Sequence, residues 1–459
     1  MQNLLDLIEK VNVVVNNIVW GPVMLAFLMF VGVYFSIRLR WFQLVHVKLW
    51  IKKTVGEICN NSAKKQKSSN GGISSFQAMT TALAGSIGTG NIVGVATAIT
   101  LGGPGSVFWM WAASIVGMMT IFAENILGMK YRCRNSKGQP VGGPMYYIEK
   151  GLGKRWLAVF FSIACTLAAF GMGNMAQSNS IAGALNQMAG IEARYSGIIV
   201  ASLVLVIIFG GVNRIAKVTE KVVPFMSMFY IVGGLIVIFS NATIIPEVFS
   251  NIFKSAFDFK CVIGGVGGFG VYKAMKYGIS RGVFSNEAGL GSSPIIYAAV
   301  DEEEPVVQGM WGIFQVFFDT ILGCTITALC ILCTGVVEQG KDGVELSISA
   351  FESVFGNWGA TFVSISIILF AFSTLVGWSY YGERAVEYIT SDWGVVIYKA
   401  VYIVIIMFGS VMNLRLVWDI SDTFNGLMAI PNLIALMFLS NEIIKELKEY
   451  KSRNKKINK

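Results

Sequence analysis

The chain has 459 residues, of which 54% are hydrophobic and 14% charged, and its formal net charge is +9. A mean hydropathy of +0.62 at this length excludes one large soluble core, because cores stop growing at about 250 to 300 residues and longer soluble chains divide into polar-surfaced domains. The composition therefore predicts an integral membrane protein. The 50 glycines follow no triplet repeat and the seven cysteines are scattered, which argues against a collagen, a disulfide framework and a zinc site.

Eleven stretches of the sequence are long and apolar enough to be membrane-spanning helices. The hydrocarbon core of a bilayer is about 30 Å thick, so a helix needs roughly 20 apolar residues to cross it. The first twenty residues are amphipathic and lack the charged start, short apolar core and cleavage site of a signal peptide. In chain order the predicted spans lie near residues 20–38, 73–101, 105–130, 156–186, 196–212, 222–240, 266–300, 309–336, 359–381, 394–411 and 419–440.

Lysine and arginine collect in four of the segments that connect or follow these spans. The segments 38–71, 130–155, 214–221 and 441–459 hold eight, seven, three and seven of them, and all four lie on the same side of an eleven-span chain. Because cytoplasmic loops carry an excess of basic residues, this side is predicted to be cytoplasmic, with the N-terminus outside and the C-terminus inside. The positive charge is then a topology signal, and no nucleic acid is expected as a partner.

The second and seventh spans carry helix-breaking residues in their middle. The second contains the segment 88–91, Gly-Thr-Gly-Asn, in which each glycine costs about 0.5 to 1 kcal/mol relative to alanine. The seventh contains Glu287, followed by Gly289, Gly291 and Pro294. A charged residue at the bilayer centre costs about 2.5 to 3.5 kcal/mol, so Glu287 is expected to face a cavity or a partner. Both helices are predicted to break, although glycines three or four apart also occur on helix-packing faces.

The positions of the two interrupted spans favour a secondary transporter. Without the first span, they are numbers one and six of a ten-helix core at 72–440, which follows an N-terminal region at 1–71 and precedes a basic tail at 441–459. If the core is two five-helix halves, these are equivalent positions, and the halves have opposite topology because five is odd. Interrupted helices at corresponding positions of inverted halves mark a substrate site, with free N–H groups directed at an anionic group. We favour this interpretation over two independently kinked packing helices.

Four motifs carry a resemblance to a known family. They are the segments 85–94, 101–111, 142–147 and 281–289, and together they resemble the alanine/glycine:cation symporter family over essentially the whole chain. The resemblance implies an all-helical LeuT-type fold, that is, an APC superfamily-like five-plus-five inverted repeat with one extra N-terminal span. It also implies cotransport of a small neutral amino acid, alanine or glycine, with sodium as the coupling ion at the plasma membrane of a prokaryote.

The resemblance implies substrate-binding residues at both breaks. In transporters of this type the substrate carboxylate meets free N–H groups at the break of core helix one, which here belong to Thr89 and Gly90. The side-chain oxygen of Asn91 is expected to contact a cation or the substrate ammonium, or to cap the second half-helix. At the break of core helix six, Phe284 is predicted to form an aromatic wall, the alternative being ordinary core, and Ser285 supplies a hydroxyl.

Three further residues come from other core helices or from the second break. Gln177 lies in a polar patch of core helix three, and its amide offers both the donor and the acceptor that a free amino acid needs. The alternative is that the patch marks the outer end of the helix, but a long, tilted helix would bring Gln177 near the centre. Trp378 of core helix eight is predicted to project into the substrate pocket and to limit the cargo to a small side chain. For Glu287 we favour a structural carboxylate that accepts hydrogen bonds from unwound backbone, over a proton or cation site.

Core helix eight also carries the predicted sodium ligands. Sodium is a hard cation that prefers oxygen ligands, and the hydroxyls of Ser373 and Thr374 stand one turn beyond the carbonyl of Phe370. The carbonyls of Ala84 and Ile87 in core helix one complete five neutral oxygens. Serine and threonine in membrane helices more often bond to their own backbone one turn back, but the fold implied by the resemblance favours a cation site here.

The rival functions lack the residues that they need. A membrane enzyme would need acid–base or metal chemistry, yet the chain has one histidine, His46, and its remaining membrane acids, Glu124 and Asp319, are expected to be isolated. A channel would need a repeated filter or a ring of like charges. The nearest alternative is a proton-coupled small amino-acid carrier or an exchanger of the same fold. No cofactor and no obligatory protein partner are expected.

Overall fold

The structure is a computed structural model that describes residues 2–59, 72–258, 267–412 and 414–457. In these ranges the chain is almost entirely helical, and its strands form one antiparallel pair, Cys133–Arg134 with Pro140–Val141. The helices are, in chain order, Gln2–Val19, Pro22–Arg38, Phe42–Val45, Val47–Lys53, Val55–Cys59, Ser75–Ser86, the 3-10 turn Thr89–Asn91, Val93–Gly102, Gly105–Lys130, Pro144–Leu152, Arg155–Phe170, the π-helical Gly171–Met175, Ala176–Ala189, Ala193–Ile208, Gly211–Ser240, the 3-10 turn Ala242–Ile244, Ile245–Ala256, Gly267–Asn286, Ser293–Tyr297, Pro305–Val316, the π-helical Phe317–Cys324, Thr325–Cys333, the 3-10 turn Val336–Gln339, Gly343–Phe355, Trp358–Thr390, Asp392–Val411, Leu414–Phe438 and Ser440–Ile457.

Seven helices among the described residues are long and apolar enough to cross a membrane, and nine spans result if each of two bent helix pairs counts as one. The protein is therefore an all-helical, multi-pass membrane protein. The predicted span at 196–212 corresponds to the shorter apolar helix Ala193–Ile208. The predicted span at 266–300 corresponds to an interrupted helix from Gly267 to Tyr297. Residues 60–71 of the first basic segment, and residues 259–266, lie outside the described ranges.

The basic segment 214–221 is not a separate connection between spans, as the sequence had suggested. It is part of one continuous helix of 30 residues, Gly211–Ser240. The chain turns earlier, at Gly211, whose φ of +68° lies in the left-handed region that favours glycine. Lysine and arginine are good helix formers, so they occupy the first turns of the helix, and Arg214 reaches back to donate to the Val206 carbonyl at 2.7 Å.

The break predicted in the second span is confirmed. Helix Ser75–Ser86 is followed by Ile87 as its C-cap. The chain then continues through the 3-10 turn Thr89–Asn91 into Val93–Gly102, and the helix axis before the break makes an angle of 62° with the axis after it. A reciprocal capping box between Ser74 and Gln77 fixes where the first half begins. We call these two halves the first broken helix.

The break predicted in the seventh span is also confirmed. Helix Gly267–Asn286 stops, and the chain unwinds through residues 287–292 before the short helix Ser293–Tyr297 begins. Within the unwound segment φ is +94° at Gly289 and +81° at Gly291, values that a residue with a Cβ adopts only with strain. These glycines allow the chain to leave the helix, and the two halves form the second broken helix.

A parallel β-bridge ties the beginning of the first broken helix to the end of the second. The N–H of Ile73 donates to the Ala299 carbonyl at 3.0 Å, and the N–H of Asp301 donates to the Ile73 carbonyl at 3.0 Å. The carboxylate of Asp301 also accepts from the N–H of Gly72 at 3.0 Å. This arrangement, which we call the bridge, fastens together two half-helices that are far apart in the sequence.

Two other helices bring side chains to the breaks. The long helix Trp358–Thr390 crosses the first broken helix at Gly377 and Gly85. A Cβ added at Gly377 would lie only 2.9 Å from the Gly85 nitrogen. The two backbones can approach this closely because both positions are glycine. The other is Arg155–Ala189, a helix of 35 residues that corresponds to the predicted core helix three and that we call the third core helix. Its middle is π-helical at Gly171–Met175, an irregularity that is frequent at functional sites.

Candidate substrate and cation site

The two breaks face each other through Gly90 and Phe284. A Cβ added at Gly90 would lie 3.2 Å from the Phe284 ring, so the absence of a side chain lets the aromatic ring approach the backbone. Thr89, Gly90 and Phe284 are all buried. The structure therefore brings together three of the residues predicted to bind substrate.

The backbone N–H groups of Thr89 and Gly90 donate no hydrogen bond to any residue in the described part of the chain. The next two N–H groups are used, because Asn91 donates to the Gly88 carbonyl and Ile92 to the Thr89 carbonyl, each at 3.2 Å. Buried N–H groups without partners are rare, and these two begin the 3-10 turn Thr89–Asn91, where free N–H groups can bind an anionic group. The local geometry thus offers two adjacent donors for a carboxylate.

Asn91 closes the break instead of capping the second half-helix. Its side-chain oxygen accepts from the N–H of Gly88 at 3.0 Å. The residue that precedes Val93–Gly102 is Ile92, which makes no capping hydrogen bond, so the predicted N-cap at Asn91 is wrong. The Asn91 side chain instead bonds backward to the N–H of Gly88, two residues after the end of the first half-helix at Ser86.

Asp319 is not isolated, in contrast to the expectation from the sequence. This fully buried residue accepts hydrogen bonds from Asn91 Nδ2 at 2.9 Å, Ser285 Oγ at 2.8 Å and Thr320 Oγ1 at 2.7 Å. It lies in the π-helical segment Phe317–Cys324. Asp319 thereby links the first broken helix to the second. Two of its partners are 228 and 34 residues away, so no local pattern indicated the contact.

Gln177 reaches the first break from the third core helix. Its side-chain oxygen accepts from Thr89 Oγ1 at 3.3 Å, and its amide nitrogen donates to the Met172 carbonyl at 3.0 Å. Only 1% of the Gln177 surface is exposed. The structure therefore brings Gln177 to the same place as the free N–H pair, as its predicted role requires.

Trp378 and Glu287 form a direct hydrogen bond. The indole N–H of Trp378 donates to Glu287 Oε1 at 2.9 Å, and Ser292 Oγ donates to Glu287 Oε2 at 2.5 Å. Among the described residues the carboxylate accepts from these two side chains, one of which belongs to the unwound segment, and from none of the unwound backbone N–H groups that the sequence predicts as its donors. Trp378 is thus held by the break of the second broken helix.

Four of the five predicted sodium ligands gather beside the first break. Thr374 Oγ1 lies 3.5 Å from the Ile87 carbonyl and 3.0 Å from the Phe370 carbonyl, and Ser373 Oγ lies 2.8 Å from the Phe370 carbonyl. Both hydroxyls bond to the backbone of their own helix one turn back, which is the common arrangement for serine and threonine in membrane helices. Thr374 also contacts the Ile87 carbonyl at the break. Ala84 is fully buried, and no hydrogen bond joins it to the hydroxyl pair among the described residues.

Comparison with known proteins identifies the family. A model described as the sodium:alanine symporter family matches residues 5–459. The chain belongs to the sodium:alanine symporter family. It is 43% identical to an uncharacterized transporter of Haemophilus influenzae, over 98% of this chain and 97% of that protein. It is 41% identical to the sodium/alanine symporter AgcS of Methanococcus maripaludis, over 97% of this chain and 98% of that protein. This family member is a transporter and not an enzyme.

The fold of this symporter family member also resembles a solved transporter structure. The manganese transporter of Eremococcus coleocola, solved with an aromatic bis-isothiourea substituted compound, superimposes with a TM-score of 0.54 at 13% sequence identity. The match covers 79% of this chain and 76% of that chain. At this identity the likeness concerns the fold alone, which is that of an all-helical membrane transporter.

A second buried carboxylate of this symporter family member, Glu124, also has a partner that the sequence did not indicate. Asn432 Nδ2 donates to Glu124 Oε1 at 2.5 Å and to the Gly289 carbonyl at 2.9 Å. The Tyr147 hydroxyl donates to Asn432 Oδ1. The segment 142–147 is one of the four motifs that resemble the family, but the sequence assigns no function to it. Tyr147 of this motif is now seen to be connected through Asn432 to the second break.

An ion pair lies beside the Phe284 ring. Arg281 Nη1 lies 3.4 Å from Asp422 Oδ2, and the Arg281 guanidinium lies 5.7 Å from the centre of the Phe284 ring. The Asp422 carbonyl accepts from Trp20 Nε1 at 2.8 Å, which connects the turn between helices Gln2–Val19 and Pro22–Arg38 to helix Leu414–Phe438. Sequence reasoning had not paired Arg281 with any residue, because its partner lies 141 positions away.

Proposed function

We propose that the chain is a sodium-coupled symporter that imports alanine, and also glycine, across the plasma membrane of a prokaryotic cell by alternating access. Membership of the sodium:alanine symporter family supports the ion and the first substrate. The observation that carries the proposal is the pair of unbonded N–H groups at Thr89 and Gly90. Two adjacent buried donors beside an aromatic ring fit the carboxylate and the short side chain of a small amino acid.

Around this pair, the remaining substrate contacts are assigned by position. Gln177 supplies an acceptor for the substrate ammonium. Its oxygen lies at the first break, 3.3 Å from Thr89 Oγ1, and an amide oxygen has a second lone pair that can accept another hydrogen bond. Asn91 and Ser285 hold the two breaks together through the Asp319 carboxylate. Phe284 and Trp378 are the walls that restrict the substrate side chain.

Sodium is proposed to bind between the long helix Trp358–Thr390 and the first break. Its ligands are the hydroxyls of Ser373 and Thr374 and the carbonyls of Phe370 and Ile87, all neutral oxygens that suit a hard cation, and Ala84 adds a carbonyl from the preceding turn. Ile87 immediately precedes the segment that carries the free N–H pair. Sodium and substrate therefore stabilise the same backbone arrangement, and this shared dependence is a physical basis for coupled binding.

The proposal extends to the architecture. We propose eleven spans, with a ten-helix LeuT-type core of two inverted five-helix halves at 72–440 and the N-terminus outside. The breaks of the first and second broken helices fall at corresponding positions of such halves. The bridge between Ile73 and Val300 joins the half-helices that lie on the predicted cytoplasmic side.

Uptake into proteoliposomes tests the function. Labelled alanine and labelled glycine are offered under sodium, lithium or proton gradients that are imposed separately. We expect accumulation of both substrates with a sodium gradient and none with a proton gradient alone. Accumulation driven equally well by protons without sodium would replace this function by the proton-coupled carrier, and exchange of internal for external alanine without any gradient dependence would replace it by an exchanger.

A further inference from the structure

We infer that Glu287 is a positioning residue that fixes the orientation of the Trp378 ring and so sets the upper limit on substrate size. The inference rests on the proposed function, because it assumes that Trp378 is a wall of the substrate pocket. It assigns to Glu287 a role in selectivity in place of a role in binding a proton or a cation. The evidence is the geometry of the hydrogen bond and of the two residues that form it.

The bond between the two side chains is fully buried. The indole N–H of Trp378, its single polar group, donates to Glu287 Oε1 at 2.9 Å, and both residues have no exposed surface. A hydrogen bond to a carboxylate is stronger than one between neutral groups, and a low dielectric strengthens it further. The bond therefore selects one ring orientation among those that the surrounding space permits.

Packing holds the Trp378 ring at its Cβ end, and the bond to Glu287 holds it at its nitrogen. The ring meets Tyr381 edge to face, with centroids 5.4 Å apart. Behind it, a Cβ added at Gly173 would lie 2.4 Å from the Trp378 Cβ, 2.7 Å from Cγ and 3.0 Å from Cδ2, so the π-helical segment Gly171–Met175 lies against the stem and the near edge of the ring. The orientation of the far edge, which carries the indole nitrogen, is fixed by Glu287.

Glu287 is itself held in an unusual conformation that serves this contact. Its φ of +60° is uncommon for a residue with a side chain, and such conformations persist only where the surroundings impose them. Its N–H donates to the Val283 carbonyl at 2.9 Å, and its second carboxylate oxygen accepts from Ser292 at 2.5 Å. The carboxylate is therefore anchored to the break on one side and directed at Trp378 on the other.

The consequence is that the size limit depends on two helices and not on one. Trp378 lies on the helix that carries the predicted sodium ligands, and Glu287 lies in the break of the second broken helix. Trp378 is four positions after Thr374 and therefore lies on the same helical face. The ring thus reaches the substrate site from the helix that carries the predicted sodium ligands, while its orientation is set by a residue of the second broken helix. Loss of either partner of the bond should release the ring.

The test compares competition profiles of variants that break the bond from either end. Trp378→Phe keeps most of the aromatic volume but removes the donor, and Glu287→Ala removes the acceptor. In both variants we expect the concentration of unlabelled valine or leucine that halves labelled alanine uptake to fall about 10-fold relative to the wild type. This is the low end of the discrimination that one or two methylenes cause in an apolar pocket. Glu287→Gln, which retains an acceptor oxygen, is expected to keep the wild-type profile.

The double variant and a matched control make the test specific. Because both substitutions remove the same bond, the double variant is expected to show no larger change in profile than either single one. Trp311→Phe is the control, since Trp311 is also fully buried and its indole nitrogen has no hydrogen-bond partner in the described part of the chain. It should leave the profile unchanged.

Each remaining outcome has a distinct meaning. If Trp378→Leu admits valine while Trp378→Phe and Glu287→Ala do not, the positioning role is wrong and the proposed function stands. If none of these variants alters the profile, Trp378 is not in the pocket and the proposed site fails. If Glu287→Gln changes the sodium or proton dependence of uptake with an unchanged profile, Glu287 is an ion site. Trp378→Phe leaves the strained residue intact, so the test stands even if Glu287→Ala does not fold.

Discussion

The side-chain amide of Asn91 donates a hydrogen bond to Asp319 at 2.9 Å, although the two residues lie 228 positions apart in the chain. The same carboxylate accepts from Ser285 in the second broken helix at 2.8 Å. One buried side chain therefore connects both breaks. Since breaking the helices leaves polar groups inside the membrane, where each unsatisfied group costs several kcal/mol, this connection is part of what makes the breaks possible.

The substitution Asp319→Asn should weaken alanine binding. An asparagine has one acceptor oxygen where aspartate has two, so the Asn91 or the Ser285 bond is replaced by a weaker one. Hydrogen bonds to charged groups contribute about 1.5 to 3 kcal/mol, so weakening one of them by half predicts an alanine affinity lower by about 4-fold to 13-fold. The measurement is alanine binding to purified protein in detergent. Asp392→Asn, at an exposed ion pair with Lys137, serves as the control, and equal affinities in the two variants would contradict the prediction.

Substitution of Gly90 should abolish alanine binding without unfolding the protein. Even the first carbon of a side chain at this position would lie 3.2 Å from the Phe284 ring, so Gly90→Val must displace the ring or the break. Gly183→Val is a suitable control, because a Cβ at this helical glycine meets nothing within 4 Å. Size-exclusion elution and thermal unfolding establish that both variants are folded. Alanine binding by Gly90→Val at wild-type affinity would show that the glycine is only a packing contact.

The breaks were predictable from sequence because their cause is local. Two glycines and two weak helix formers in the segment 88–91 are enough to end a helix, and Glu287 with the glycines that follow it does the same in the other half. The turn before the helix Gly211–Ser240 was placed too late, because basic residues both mark the cytoplasmic side and form helices well. Charge indicated the side of the membrane there, but not the secondary structure.

The polar network around the breaks was not predictable, because its contacts join distant segments. Asp319 and Glu124 looked isolated since no acid or base lies near them in the sequence, yet each has partners from other helices. The bond between Trp378 and Glu287 spans 91 positions. A polar residue in the middle of a span predicts that a partner exists, and only the packing of the helices decides which one it is.

Thr374→Ala should raise the sodium concentration needed for half-maximal uptake and should remove sodium-dependent stabilisation. A ligand that binds only the folded state raises its stability with ligand concentration, so the Tm of the wild type should rise with added sodium while that of Thr374→Ala changes less. Ser366→Ala is the control, since Ser366 makes the same kind of bond to its own helix, to the Phe362 carbonyl at 2.9 Å. A purely structural hydroxyl at position 374 would instead lower Tm equally with and without sodium.

Removal of the Asp301 side chain should loosen the bridge. The carboxylate accepts from the N–H of Gly72 at 3.0 Å. Because Asp301 is only half-buried, water replaces part of this bond, and its contribution is about 0.5 to 1.5 kcal/mol, below that of a buried bond to a charge. Asp301→Ala is therefore expected to speed hydrogen exchange of the Ile73 and Asp301 amides by about 2-fold to 10-fold, measured by mass spectrometry. Asp301→Asn, which keeps an acceptor, should restore most of the protection. Unchanged exchange in the alanine variant would show that the backbone bonds alone hold the half-helices.

The last prediction concerns the size limit on the substrate. Trp378 is fully buried against the second break, and the bulk of its ring fills space that a larger substrate would need. Trp378→Leu should weaken uptake of alanine and glycine while admitting valine and leucine as competitors, because one or two extra methylenes in an apolar pocket change discrimination by about 1 to 3 kcal/mol, or roughly 10-fold to 200-fold. Trp358→Leu, on the same helix but 75% exposed, should keep the wild-type profile. If Trp378→Leu also keeps that profile, the long helix Trp358–Thr390 does not contribute a wall to the substrate pocket.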